Sequence, residues 1–158
     1  MPGTKRVRLL VALALAASVL GACGGGSKLS RSDFLAKADA LCTESNKTAP
    51  TAAPKNAKEA ADQARGEVTA RVELDAKLKA LAPPGEISSQ FDAYNSGTQK
   101  IINLVRLQQV AAERNQVAQY TRLAKQREAD SAARGEVGRR IGFKVCGQNI
   151  PQKPSKRP

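Results

Sequence analysis

The amino-acid sequence predicts an all-α fold, an antiparallel bundle of about four helices. Apolar residues recur at intervals of three and four along most of the chain, which is the period of one helix face. Prolines divide these runs at Pro50 and Pro54 and again at Pro83-Pro84, where a helix is not expected to continue. The composition is rich in alanine and holds three Phe, two Tyr and no Trp. Alanine favours helices but buries little area, so such a bundle gains from a covalent link.

The first two predicted helices lie on either side of the Pro50–Pro54 connector. The first begins after Ser30 or Ser32, since either side chain can accept a hydrogen bond from the first turn, and it ends before Pro50. Its buried face comprises Phe34, Ala38, Leu41 and Cys42. The second helix runs from about Lys55 to Leu81, and the apolar stripe of its first half comprises Ala57, Ala60, Ala61 and Ala64.

The third predicted helix carries the largest side chains and should be the central packing element. It follows Pro83-Pro84-Gly85, and Asn115 separates it from a fourth helix that ends at Gly142, a residue suited to a C-terminal cap. Residues 148–158 are polar, proline-rich and basic, which is typical of disorder. We expect the following residues to be mostly buried: Phe34, Leu41, Phe91, Tyr94, Ile101, Val105, Val137 and Phe143.

Ahead of the first helix lies a segment with the features of an export signal. A basic stretch precedes an apolar run from Leu9 to Leu20, which is too short to span a bilayer as a helix. The run ends in Leu20-Gly21-Ala22-Cys23, which resembles the lipobox of bacterial lipoproteins. The resemblance implies lipidation of the Cys23 sulfur, cleavage after Ala22, and anchoring on the extracytoplasmic face of the cell membrane. Ordinary secretion, with Cys23 as a spare thiol, is the alternative.

This interpretation divides the chain into four parts. Residues 1–22 are a lipoprotein signal peptide and residues 23–30 a flexible glycine-rich tether. Residues 31–147 form the helical domain, long enough for one hydrophobic core, and residues 148–158 form the basic tail.

With Cys23 assigned to the lipid, Cys42 and Cys146 remain as an even pair in an oxidising compartment. Such a pair predicts a disulfide. The alternatives are a metal site or a reactive thiol, but the chain contains no histidine and no Cys-x-x-Cys pair to complete a ligand set. No metal and no cofactor are predicted.

Three motifs of the predicted domain resemble those of a group of uncharacterised bacterial lipoproteins and secreted proteins. The first is Phe34 with Ala38-Asp39-Ala40 and Cys42. The others are Leu78-x-x-Leu81-x-Pro83-Pro84 and Gly142-x-x-x-Cys146-Gly147. The resemblance implies a small helical bundle whose first helix and C-terminus are tied by the two cysteines. It implies no activity, and it does not account for the basic tail.

Positive charge is concentrated in the second half of the chain. Residues 23–99 carry ten basic and ten acidic side chains, whereas residues 100–158 carry thirteen basic and four acidic ones, a net charge of +9. The candidates for binding an anionic partner are Arg122, Lys125, Arg134, Arg139, Arg140 and Lys144. Such a partner would be an acidic protein or an anionic envelope surface. Nucleic acid is disfavoured, because few aromatic residues are available for base stacking. A merely solvated helix face is the alternative.

No catalytic residue is predicted. The absence of histidine excludes the usual Ser–His and Cys–His pairs. The carboxylates of the first helix, Asp33, Asp39 and Glu44, are spaced for a solvated face shared with Lys37 and Lys47. We therefore expect a non-enzymatic binding or structural module held at the membrane by its lipid. A small-molecule carrier or sensor with a pocket between helices is the alternative.

Overall fold

The computed structural model describes residues 29–50 and 52–148 and shows an all-helical chain there. Its helices are α1 (Arg31–Lys47), α2 (Ala57–Ala80), α3 (Ser88–Glu113) and α4 (Val117–Ile141), with a short 3₁₀ turn at Gly85–Ile87 before α3. No strand occurs among these residues. The predicted fold class and the four helices are confirmed. The signal peptide at 1–22, Cys23, the tether up to residue 28 and the tail from residue 149 lie outside the described residues.

The helices begin and end close to the predicted positions, for the predicted local reasons. Ser30 caps α1, its Oγ accepting from the backbone N–H of Asp33 at 3.1 Å. Asn56, which the sequence did not single out, caps α2 by accepting from the N–H of Glu59 at 2.9 Å. Asn115 has a φ of 54° and makes the turn between α3 and α4. Gly142 ends α4 in the left-handed region, with a φ of 109°.

Contacts between the long helices show that α3 runs antiparallel to α2 and that α4 runs antiparallel to α3. Arg65, in the first half of α2, pairs with Glu113 at the end of α3, with 3.1 Å between Nη2 and Oε1. Asp75, in the second half of α2, accepts from Gln99 at 2.8 Å. The helices α3 and α4 also pack closely against each other. An ideal Cβ on Gly138, near the end of α4, would lie 3.2 Å from Tyr94 Cε2, near the start of α3. The shorter α1 packs against α2.

The largest core cluster lies at one end of the bundle, where all four helices and the C-terminal turn meet. We call it the aromatic half. It contains Phe34, Phe91, Tyr94 and Phe143, with ring centroids 5.2–6.4 Å apart in successive pairs. Six of the eight residues predicted to be buried are fully buried, and the other two, Leu41 and Val137, are partly buried against this cluster. The predicted core is therefore confirmed.

The opposite end, the alanine half, contains only α2, α3 and α4. Ala60 and Ala61 of α2 pack against Ala112 of α3, and Ala64 packs against Ile101 and Val105. Another cluster comprises Leu104, Ala111 and Leu123, with Tyr120 at its side. Residues of the predicted alanine stripe thus face the core, where their small side chains bring the helices together.

Candidate functional site

Cys42 and Cys146 form the predicted disulfide and tie α1 to the C-terminal turn. The two sulfur atoms are 1.97 Å apart, the Cα atoms are 5.4 Å apart, and the bond spans 104 residues. The alternative interpretations of this pair, a metal site or a reactive thiol, are therefore wrong.

The same turn is held by Asp39, whose carboxylate accepts three successive backbone N–H groups. Oδ2 accepts from Lys144 at 2.8 Å, and Oδ1 accepts from Val145 at 2.9 Å and Cys146 at 3.0 Å. Successive N–H groups of this kind form a concave site for an anion. The interpretation of Asp39 as part of a solvated face is wrong, because the C-terminal turn covers it.

Tyr94 holds the turn from the α3 side. Its hydroxyl donates to the carbonyl oxygen of Cys146 at 3.1 Å, and burial raises the pKa of this tyrosine above its usual value. Gly138 and Gly147 allow the close approach of α4 and the turn, since an ideal Cβ on Gly138 would lie 2.9 Å from the Gly147 Cα. The disulfide, Asp39 and Tyr94 therefore fix residues 143–147 against three helices.

The six predicted cations do not form one surface. Arg122 and Lys125 are exposed near the start of α4, whereas Arg139, Arg140 and Lys144 are exposed at the other end of the helix. Between Lys125 and Arg139 lie about 21 Å of helix axis, on which Glu128 and Glu136 are exposed. The sixth cation, Arg134, is turned into the bundle. The candidate anion-binding residues thus form two separate exposed groups and one partly buried residue, Arg134.

Four cations meet where α4 ends and α1 begins, and we call this group the basic end: Arg31, Arg139, Arg140 and Lys144. Arg31 Nη2 donates to the carbonyl oxygen of Ile141 at 3.0 Å, which brings the start of α1 to the end of α4. Arg139 pairs with Glu136 and also donates to the Gly147 carbonyl at 3.4 Å. Within the described residues, the side chains of Arg140 and Lys144 have no hydrogen bond or ion pair.

A second group of charges lies between α2 and α4, and we call it the arginine layer: Glu67, Arg71, Arg127 and Arg134. Glu67 accepts from Arg71, with 2.6 Å between Nη2 and Oε1, and from Arg127 Nη1 at 3.0 Å. Arg134 stacks over Tyr94, with its Cζ 5.0 Å from the ring centroid. An ideal Cβ on Gly97 would lie 3.1 Å from Arg134 Cβ, so glycine leaves room for this side chain.

The arginine layer was only partly predictable from the sequence. Glu67 and Arg71 are four residues apart on a helix, which is the spacing of an ion pair. Nothing in that spacing showed that the pair would be mostly buried, or that Arg127 would reach the same carboxylate. Arg134 was indistinguishable from its exposed neighbours by residue type.

The described surface offers little enclosed space. One depression is lined by Gln116–Gln119 and Arg122, a second by Lys100, Leu107, Asp130 and their neighbours, and both open to solvent. Among the residues that the structure describes, no His, Cys, Asp and Glu side chains gather as a metal site. None of the helices described has the length and apolar character needed to cross a membrane.

No protein-family model, curated protein or solved structure matches this chain. Inferences about function therefore depend on the geometry of the chain itself.

Proposed function

We propose that the protein is a lipid-anchored, extracytoplasmic binding module whose basic end docks onto anionic lipid headgroups. Residues 1–22 would act as the signal peptide and Cys23 as the lipidated residue, as the lipobox resemblance implies. The helical domain would then be the functional part and would need no catalytic residue.

The observation that carries the proposal is the contact between Arg31 and Ile141. The chain enters the domain at Leu29 and Ser30, directly before Arg31, and the 3.0 Å hydrogen bond places this entry beside the end of α4. The cations of the basic end therefore lie next to the point where a tether from Cys23 would join the domain. The sequence adds Lys28 before the domain and Lys153, Lys156 and Arg157 after it.

The short reach of the tether and the screening of charges by salt both favour an interaction between the membrane and the basic end. Five residues lie between Cys23 and Leu29, and the extended chain that joins these two residues reaches about 20 Å. Charges are screened over about 8 Å at physiological ionic strength, so cations far from the anchor contribute little. A cation close to an anionic membrane contributes about 1 kcal/mol. Arg122 and Lys125, at the far end of α4, are poorly placed for this interaction.

Anchoring is tested by replacing the lipidated residue. We expect Cys23→Ser to abolish incorporation of labelled fatty acid and to leave the protein out of the detergent phase. Fatty-acid labelling of this variant equal to that of the unchanged chain would contradict the proposed anchor.

Docking is tested with the chain from Ser27 onward, after circular dichroism has verified its helices. This chain should sediment with phosphatidylglycerol vesicles at low salt and be released as salt rises. The double variant Arg140→Glu with Lys144→Glu should lose retention. The matched double variant Arg122→Glu with Lys125→Glu changes the net charge by the same amount. It should keep most of its retention on the vesicles.

Three outcomes separate the proposal from its alternatives. Equal loss in both double variants would indicate attraction by net charge alone and would contradict docking by the basic end. Retention on cell-wall material but not on vesicles would point to an anionic polymer. Failure to bind either surface at low salt would leave an acidic protein partner or a small-molecule carrier as the remaining function.

A further inference from the structure

One face of the second half of α3 combines exposed apolar residues with positive charges. It carries five residues at intervals of three and four, which we call the α3 stripe: Lys100, Asn103, Leu107, Val110 and Arg114. Leu107 is 52% exposed and Val110 is 38% exposed. The other large apolar residues exposed in the described chain are Val72 and Val117, and each lies on a different helix. Within the described residues, the α3 stripe is therefore where two exposed large apolar side chains are neighbours on one helix face.

The α3 stripe borders a depression between α3 and α4 that is open to solvent. Six residues of the two helices line it: Lys100, Asn103, Leu104, Leu107, Gln126 and Asp130. Leu104 is buried in the same core cluster as Leu123 of α4, so the depression has an apolar base. A furrow between two helices with an apolar base and an exposed apolar edge can accept the apolar face of a third helix.

The two ends of the α3 stripe are positively charged. Lys100 and Arg114 are about 21 Å apart along the helix axis, which is close to four turns. Within the described residues, neither side chain makes a hydrogen bond or an ion pair. Glu113, the residue before Arg114, pairs instead with Arg65 of α2 at 3.1 Å. Both cations are therefore available to carboxylates of a partner.

The remaining charged residues around the depression leave a positive balance. Arg106, beside the α3 stripe, donates to the amide oxygen of Asn103 at 3.2 Å. On α4, Arg122 lies two turns before Asp130 and donates to the amide oxygen of Gln119. Both of these acceptors are neutral, so they do not balance the charge of either arginine. Asp130 is the one acidic residue that lines the depression. Together with the two cations at the ends of the stripe, four positive charges therefore surround one negative charge.

We propose that the α3 stripe is a docking surface for an acidic amphipathic helix of another protein. The apolar side chains of that helix would cover Leu107 and Val110, and its carboxylates would pair with the cations at the two ends of the stripe. The charges disfavour a second copy of this chain, because antiparallel packing would place Lys100 of one copy beside Arg114 of the other. A flat membrane surface would leave the depression unfilled. The stripe lies in the alanine half, away from the basic end, so the proposal does not depend on the proposed membrane docking.

The test measures binding of a synthetic helix to the full-length chain in phosphatidylcholine nanodiscs, with empty nanodiscs as the background. The probe is a fluorescein-labelled peptide of about four helical turns, with leucines on one face and glutamates at both ends of that face. The control peptide has lysine in place of every glutamate. We expect fluorescence anisotropy to show saturable binding of the acidic peptide, weakened by salt, and little binding of the control peptide.

Two pairs of variants identify the surface, after circular dichroism has verified that their helices are intact. Leu107→Ser with Val110→Ser should weaken binding of the acidic peptide about tenfold or more, because both apolar contacts are lost. Val117→Ser, an exposed apolar change outside the α3 stripe, should leave binding unchanged.

The second pair tests the charges. Lys100→Glu with Arg114→Glu should abolish the preference for the acidic peptide over the lysine peptide. Arg140→Glu with Lys144→Glu changes the net charge by the same amount at the basic end and should keep this preference.

Several results would overturn the proposal. The first is an acidic peptide that fails to bind at concentrations up to about 1 mM, or that binds no better than the lysine peptide. Equal losses in the two charge-reversal variants would indicate attraction by net charge alone. Cross-linking of the chain to itself that Leu107→Ser with Val110→Ser abolishes would place a second copy on the stripe instead. Reduced retention of this variant on phosphatidylglycerol vesicles would make the stripe a lipid-binding surface.

Discussion

The two halves of the bundle are built from the same long helices, yet they are stabilised in different ways. In the aromatic half, four helices and the C-terminal turn enclose three Phe and one Tyr, and a disulfide joins the first helix to the turn. In the alanine half, three helices meet over small side chains. Burying a Phe side chain contributes about 1.5–3 kcal/mol, against about 0.8 kcal/mol for a methyl group. The aromatic half should therefore supply most of the free energy of unfolding.

The polar residues follow this division only in part, because Asn95 Oδ1, next to Tyr94 in α3, is also buried without a partner among the described residues. In the aromatic half, Asp39 and the Tyr94 hydroxyl are hydrogen-bonded to the C-terminal turn. In the alanine half, Gln108 is only 1% exposed, and its amide nitrogen and oxygen have no partner among the described residues. A buried polar group without a hydrogen bond weakens the structure around it. The comparison shows that a continuous helix can be strongly held at one end and weakly held at the other.

The largest expected effect comes from removing the disulfide. The chain-entropy model assigns about 4–5 kcal/mol to a loop of 104 residues, which is comparable with the stability of a small domain. We expect the double variant Cys42→Ser with Cys146→Ser to melt at a much lower temperature than the oxidised protein. Calorimetry measures the difference, and a reduced sample of the unchanged protein serves as the control. An unchanged Tm would contradict the dominance of the aromatic half.

A smaller loss is expected when the acceptor of the three turn N–H groups is removed. Asp39→Ala leaves these groups without their partner, and each unsatisfied group carries a cost, so the variant should lose about 1–3 kcal/mol. Asp33→Ala is the matched control on the same helix, because Asp33 is exposed and makes no contact with the turn. Urea titration of both variants gives the comparison. Equal midpoints for the two would mean that Asp39 does not hold the turn.

In the alanine half, replacing the buried Gln108 with an apolar residue should stabilise the protein. Gln108→Leu replaces the unpartnered amide with an apolar side chain, and we expect a gain of about 1–2 kcal/mol in the free energy of unfolding. Leu123→Asn, which places an amide in the same cluster region, should have the opposite effect. Hydrogen exchange at the first half of α2 should slow in Gln108→Leu if that half opens independently. A loss of stability in this variant would show that the amide is satisfied in solution.

The sequence predicted the helices and the core well because both follow from local rules. Helix starts need only a capping side chain such as Ser30, and the Gly142 end needs only a residue that tolerates positive φ. Phe34 and Phe91 were predicted to be buried because they are large apolar side chains on the apolar faces of their helices. The disulfide followed once Cys23 was assigned elsewhere. These predictions required no knowledge of which distant segments would meet.

The predictions about charged residues were weaker because charge alone does not show which way a side chain points. Arg134 and Arg140 are the same residue type on the same helix, but one stacks on Tyr94 and the other is exposed. Asp39 and Asp33 differ in the same way. In each pair the outcome depends on a segment distant in sequence, so only the packed structure separates an interior charge from a surface one.

The smallest expected effect concerns the two tyrosines, one in each half. Burial raises the pKa of both Tyr94 and Tyr120 above the usual value of 10.0, and Tyr94 is the more deeply buried. A raised pKa in the folded state means that folding favours the protonated ring. Stability from this source is therefore complete below pH 10 and is lost as pH rises through the folded pKa. The chain has no Trp and only these two Tyr, so absorbance at 295 nm reports their ionisation alone.

We expect Tyr94 to ionise only as the aromatic half unfolds, whereas Tyr120 ionises earlier and without loss of helix. Tyr94→Phe removes the hydrogen bond to Cys146 and should cost about 1 kcal/mol at pH 7. It should also make the Tm less sensitive to pH above 10. Tyr120→Phe is the control in the alanine half and should change the high-pH Tm less. If the two variants had the same alkaline unfolding profile, the two halves would be equally well held, and the comparison would fail.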